Sequence, residues 1–301
     1  VKLRVLLLLG LTACAGGADH ERLGDAAYAK GLYPDALSEY RAEALGKPSA
    51  RVWAKLGLTA LHTQSYREAA EAYHRLAKED PSRVFEAVIG LGLTARGAER
   101  VNDAAALREA MVSLRTLAPE HVSPREALGL VRGGKLSPPE AIQMYPSALA
   151  AAPDAGTVDG LLSDYGTALK ATTDCEEAAR SYRSARRRSH DAKVRSSAGA
   201  GLAECGLQLG LEALSLNKAD VAITWFREAT SADSTSNASR RSRIGLGDAQ
   251  IEQGDFVAAA IAYQGAISRD STDSISHLAV QRLNAMGSAQ GPVGTPADKE
   301  P

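Results

Sequence analysis

Residues able to do chemistry are sparse in this chain, and their spacing rules out most of what they could do. The run Gly129-Leu130-Val131-Arg132-Gly133-Gly134-Lys135 meets the first seven positions of a phosphate-binding loop, but position eight is Leu136, which offers no hydroxyl for Mg²⁺. The residues before it carry a helical pattern where such a loop needs a strand, so Gly133 and Gly134 read as a turn between two helices. The six histidines, His20, His62, His74, His121, His190 and His277, never stand three to five residues apart, and neither Cys-x-x-Cys nor His-Glu-x-x-His occurs. Zinc ligation therefore has no sequence support. No Gly-x-Ser-x-Gly elbow is present and no carboxylate pair is advertised, so no catalytic residue, metal or small-molecule substrate is expected.

The elements that would position any site come from a repeat. Leu23-Gly24, Tyr33, Ala36, Tyr40 and Pro48 recur 33 residues later as Leu56-Gly57, Tyr66, Ala69, Tyr73 and Pro81. Leu246-Gly247, Phe256, Ala259, Tyr263, Ala266 and Asp270 repeat the pattern, and weaker copies hold Leu128-Gly129 with Tyr145, Gly166 with Tyr182, and Leu209-Gly210 with Phe226. A third copy around Leu91-Gly92 is irregular, with a small insertion near residues 97–103. Glycine and alanine are expected where two helices cross closely, with Gly57 set against Ala69, and Pro81 is expected to end the second helix.

This pattern, with Trp53 at the head of its clearest copy, resembles the tetratricopeptide repeat. The resemblance implies an all-α fold, an α-α superhelix of about seven helix-turn-helix repeats over 17–273. A capping helix over 274–286 follows, then a disordered tail over 287–301, where Gly, Pro and charge replace any apolar period. A structureless stretch is also expected at 231–242, which is rich in Ser, Thr and Asn.

At the N-terminus, Lys2 and Arg4 precede the apolar run Val5–Leu9, too short to span a bilayer, and then Leu11-Thr12-Ala13-Cys14. This segment resembles the lipobox of bacterial lipoproteins. That resemblance implies a signal peptide over 1–13, cleavage before Cys14, and acyl and diacylglycerol groups on Cys14 as the one covalent addition, with no other cofactor. Residues 14–16 would then be the lipidated N-terminus. Ala15, where an Asp would retain the protein at the inner membrane, favours the outer membrane. The expected place is the bacterial cell envelope, facing the periplasm, with the membrane reached through the lipid.

Two further groups bear on partners. In an exported, oxidising compartment Cys175 and Cys205 fall at matching heights on neighbouring helices, so their spacing allows a disulfide; two separate buried thiols are the other reading. Arg51, Leu58, Leu61 and His62 fall on the first-helix face that lines the inner groove of such repeats, with Leu207, Leu211 and Leu214 equivalent later on. Arg183, Arg186, Arg187 and Arg188 form the main basic concentration and read either as a solvated edge or as a surface for an acidic partner. With 35 basic against 36 acidic residues, the chain has no electrostatic reason to seek nucleic acid. The expected function is a non-enzymatic, lipid-anchored protein–protein interaction scaffold or adaptor that binds envelope proteins. The alternative is a permanent periplasmic subunit of a membrane complex, energy-transducing complexes included.

Overall fold

A computed structural model describes residues 19–268 and 273–289. The leader over 1–13, Cys14, Ala15, Asp270 and the tail from residue 290 onward lie outside the described residues. The chain divides into two compact units, Val1–Val122 and Ser123–Pro301. Every element among the described residues is helical.

The first unit holds three helical hairpins. They are α1 (His20–Ala29) with α2 (Tyr33–Gly46), α3 (Ala50–His62) with α4 (Tyr66–Glu79), and α5 (Val84–Arg100) with α6 (Ala104–Leu117). The second unit holds four more: α7 (Pro124–Gly133) with α8 (Pro138–Ala150), α9 (Ala155–Ala171) with α10 (Cys175–Arg188), α11 (Ala192–Ser215) with α12 (Ala219–Ala232), and α13 (Asn237–Glu252) with α14 (Phe256–Ala266). A final helix, α15 (Ser274–Ala289), covers the expected capping segment and runs on through Ala289.

The helix starts are built from short polar side chains that satisfy free backbone N–H groups. Ser49, Asp103, Asp154, Asp174 and Asp255 each accept from the backbone N–H three residues on. Ser137 and Glu140 form a reciprocal cap at α8. Each hairpin turn contains one residue in the left-handed region: Gly31, Gln64, Asn102, Gly134, Thr173, Asn217 and Gly254. The carbonyl end of each first helix is closed there by backbone bonds, such as Gln64 N–H to Leu61 O (3.2 Å) and Ser65 N–H to Ala60 O (2.8 Å). Gly134 confirms the turn read from the sequence at that point.

The core repeats one contact. In five hairpins a glycine of the first helix lies under an aromatic ring of the second, 16 residues on: Gly24 under Tyr40, Gly57 under Tyr73, Gly166 under Tyr182, Gly210 under Phe226, and Gly247 under Tyr263. The next first helix closes on the other face of three of these rings, through Gly90 on Tyr73, Gly201 on Tyr182 and Gly245 on Phe226. Gly57 is therefore small to admit the Tyr73 ring, not to accommodate Ala69 as the spacing suggested. Tyr73, Tyr182, Phe226 and Tyr263 are buried, and each holds two neighbouring helices at a fixed separation.

Two other expectations change. The insertion near residues 97–103 is taken up largely as helix at the end of α5, which seats Gly97 beneath the Tyr66 ring. The stretch 231–242 is mostly helical: only 233–236 separate α12 from α13. Asp233 ties that link by accepting from the N–H groups of Thr235 (2.9 Å) and Ser236 (3.3 Å). Ser239 and Ser242 are fully buried in α13, so serine serves there as a small packing residue and not as a loop former.

Candidate protein-interaction surfaces

In the first unit α3 and α5 border one groove of about 470 Å³. Phe85, Ile89 and Leu93 stand four residues apart on α5 and so form one stripe. They are 69%, 49% and 43% exposed, and Leu58 on α3, at 44%, faces the same groove. Because these side chains are already about half buried, a partner that covered them would gain roughly half of the 1.5–3 kcal/mol that full burial of each is worth. Tyr73 closes the floor, where burial pushes its hydroxyl up to about 12.

The charges at this groove are already paired. Arg51 donates to Glu21 (2.7 Å), and Lys55 donates to Glu21 (2.8 Å) and to Asp25 (2.7 Å). The Lys55 hydrogen bond holds the Glu21 carboxyl below its usual range, against the opposing effect of burial. Burial alone would lower the Lys55 ammonium, but Asp25 and Glu21 outweigh it and raise it. Tyr40 donates to Asp25 (2.7 Å) and completes the cluster. The rim thus presents a neutralised network around an apolar floor, which suits an uncharged, apolar segment better than a strongly acidic one.

Of the residues picked from the sequence, Arg51 and Leu58 line this groove, while Leu61 and His62 do not. His62 instead stacks on Tyr33 (4.3 Å between centroids) and shares a hydrogen bond between its Nε2 and the Tyr28 hydroxyl (3.0 Å), an aromatic cluster beside the α3–α4 turn. Sequence reasoning passed over Phe85, Ile89 and Leu93. Their four-residue spacing along one helix was the available signal.

The second unit has its own groove of about 400 Å³, formed by α11, α13 and α15, with Leu207, Leu211, Ile275 and Leu278 in its lining. Arg282 pairs there with Asp248 (3.0 Å), and Arg241 stands at the edge. Leu214, the third leucine of the set, packs instead with Ile223 and Phe226 in the core.

The arginine concentration is tied into the fold. Arg183 makes a two-pronged pair with Glu228 of α12 (2.6 and 2.9 Å), Arg186 donates to the Ser231 carbonyl (2.9 Å), and Arg188 reaches Asp159 of α9 (3.2 Å). Three of the four guanidiniums therefore fasten α10 to its neighbours, leaving Arg187 exposed. Cys175 and Cys205 lie in one buried cluster with Tyr182 and Leu202, and both are free thiols. Cys175 donates to Gln208 Oε1 (3.4 Å). The phosphate-loop-like run falls on the carbonyl end of α7, a polarity that repels phosphate. Among the described residues no cluster of side chains could hold a metal ion, and no helix is long and apolar enough to cross a membrane.

The tetratricopeptide repeat pattern matches residues 21–84, 54–121 and 207–274, more than half of the sequence. The chain belongs to the tetratricopeptide repeat family. Its helical hairpins, grooves and glycine–aromatic contacts are those of a protein–protein interaction scaffold, a fold that is generally non-enzymatic. No curated protein matches the sequence.

Among solved structures, the C-terminal part of a tetratricopeptide repeat-containing protein from Cytophaga hutchinsonii is 11% identical, with 86% of this chain and 98% of that one covered and a TM-score of 0.38. The type IV pilus biogenesis factor PilW is 13% identical, with 77% and 98% covered and a TM-score of 0.33. BtubC from P. vanneervenii is 19% identical, with 80% and 96% covered and a TM-score of 0.29.

Proposed function

We propose that this tetratricopeptide repeat protein is a lipid-anchored adaptor of the bacterial cell envelope that recruits a partner protein through the groove of its first unit. The observation that carries the reading is the stripe Phe85, Ile89 and Leu93 facing Leu58, exposed apolar surface set in a groove whose charges are already neutralised. An extended or helical apolar segment of a partner fits that chemistry. The anchor is argued from Lys2, Arg4, the run Val5–Leu9 and Cys14, with two or more acyl chains making attachment stable. Ala15 supports the outer membrane, with the body in the periplasm.

Two measurements separate the parts of this reading. Labelled palmitate should be incorporated by the full chain and not by Cys14→Ser; equal labelling of both removes the anchor. Affinity purification from native membranes in mild detergent should recover a partner with the unaltered chain and with Arg187→Ala, and lose it with Ile89→Asp. Recovery unchanged by Ile89→Asp removes the groove from the reading.

A further inference from the structure

Two of the chain's three cysteines meet where α10 packs on α11. Cys175 is the first residue of α10, set there by the Asp174 cap, and its Sγ reaches α11 to donate to Gln208 Oε1 (3.4 Å). Gln208 lies one helical turn beyond Cys205, so the Cys175 side chain is laid along the stretch of α11 that carries the other thiol. The two thiols also interact with one another directly. Both are buried in one cluster with Tyr182 and Leu202.

The next junction of the same unit shows what these positions hold when sulfur is not used. Seven residues before the buried ring and four after the second glycine that closes on it stand Cys175 and Cys205, around Tyr182 and Gly201. Around Phe226 and Gly245 the same count gives Ala219 and Ala249. Alanine is enough for the packing, and the α10–α11 junction departs from it at both positions together. A disulfide sets its Cβ atoms about 3.8 Å apart, the spacing of two methyl groups in contact, so it suits helices that approach this closely.

We propose that Cys175 and Cys205 form a disulfide site, closed by exchange with a protein or small-molecule disulfide and fastening α10 to α11. One thiolate attacks a sulfur of the oxidant, forming a mixed disulfide and expelling one oxidant thiol. The second thiolate attacks the cysteine sulfur of that mixed disulfide, forms the Cys175–Cys205 bond and expels the other thiol. The two cysteines together lose two electrons and two protons, and the oxidant disulfide leaves as two thiols. Burial keeps both sulfurs protonated once the helices have packed, so exchange takes place while α10 and α11 are still apart, and the finished bond is shielded from reductant. The supply of oxidant in cells rests on the envelope location proposed above.

Refolding the reduced, denatured full chain in a glutathione redox buffer, then alkylating and digesting it with trypsin without reductant, tests the site. The fragment 171–180, with Cys175, should be joined to the fragment 196–218, with Cys205, leaving Cys14 outside the link. The unfolding constant of the oxidised second unit in urea should lie at least about 100-fold below that of the chain treated with dithiothreitol, as expected for closing a loop of this length. Cys175→Ala with Cys205→Ala installs the residues of the next junction, and it should fold and show no response to dithiothreitol. Two separately alkylated fragments after refolding, or a link from either cysteine to Cys14, overturns the proposal. An equal response to dithiothreitol in the double variant does so too. The same digest of chain drawn from native membranes into alkylating buffer tests the location by itself: a link formed in glutathione but absent from cells removes export and leaves the site standing.

Discussion

Two glycines on α5, two residues apart, should respond to the same substitution with opposite signs. A Cβ added at Gly90 would lie 2.3 Å from Tyr73 Cζ and 2.5 Å from its Cδ1, more than an ångström inside contact. The ring cannot withdraw, because Gly57 of α3 closes its other face, where an added Cβ would itself come within 2.9 Å. At Gly92 the nearest atom is Arg96 Nη1 at 3.9 Å, the free end of a flexible side chain. Alanine in a helix interior gains about 1 kcal/mol over glycine, and overpacking a rigid site costs about 1–3 kcal/mol or more. With a ring clamped between two backbones the upper end of that cost applies, so Gly90→Ala should lose about 2 kcal/mol while Gly92→Ala gains up to about 1. Urea titration followed by circular dichroism measures both, with one transition expected within this unit. Tyr73→Val should recover part of the Gly90→Ala loss, since the two changes share one space. If Gly90→Ala matched Gly92→Ala in sign, the account of the ring as the spacer between hairpins would be wrong.

Other outcomes follow from single features. Thr173 holds a left-handed backbone (φ 66°) that its branched side chain disfavours, so Thr173→Gly should stabilise by about 0.5–1 kcal/mol, and Gly254→Ala (φ 79°) should cost about 1; thermal melts that rank them otherwise refute the strain. Burial pushes the Cys175 and Cys205 thiols up, so folding favours their protonated forms. The stability this contributes is complete below the ordinary thiol pKa of about 8.5 and is lost as pH climbs past it; iodoacetamide at pH 8 should label neither in the folded chain under reducing conditions and both in denaturant. Arg240 holds the Asp273 carboxyl far below its usual range, with the Ser276 N–H assisting, and this ties the start of α15 to α13. That contribution is present above the ordinary Asp pKa of about 3.9 and fades as pH falls below it, so amide exchange in α15 should rise on acidification and, at neutral pH, in Arg240→Ala.

The repeat was legible because its signature residues sit at contacts that geometry enforces. A ring that separates two helices needs a glycine on the facing helix, and the 16-residue offset from Gly57 to Tyr73 or from Gly247 to Tyr263 survives as long as the ring does. Where the ring is absent the pattern blurs. The α5–α6 hairpin fills its centre with Met111 and Leu114, and an apolar side chain of adjustable shape demands no particular glycine. Gly129 keeps its offset from Tyr145, yet a Cβ there would meet nothing, and Tyr145 packs instead against Tyr165 (5.1 Å). Spacing alone could not separate that glycine from one with a ring above it.

The candidate sites were harder to read for a related reason. A groove residue is one that nothing in its own repeat requires, so its size drifts between copies: Phe85 and Ile89 stand where α3 has Ala50 and Ala54, while Leu93 has Leu58 and Leu211 as its counterparts. The arginine run misled in the opposite direction, because charge density in a sequence says nothing of pairing, and Arg183, Arg186 and Arg188 are spent on Glu228, Ser231 and Asp159. In a repeat protein, departure from the shared pattern is thus the better guide to partners than adherence to it. By that criterion two surfaces stand out, the stripe on α5 and the uncharged outer face of α14. Each keeps large apolar side chains in water, where α3 has only alanine opposite Phe85 and Ile89 and where α10 and α12 carry polar or charged residues opposite Val257 and Ile261, a cost that only a bound partner removes.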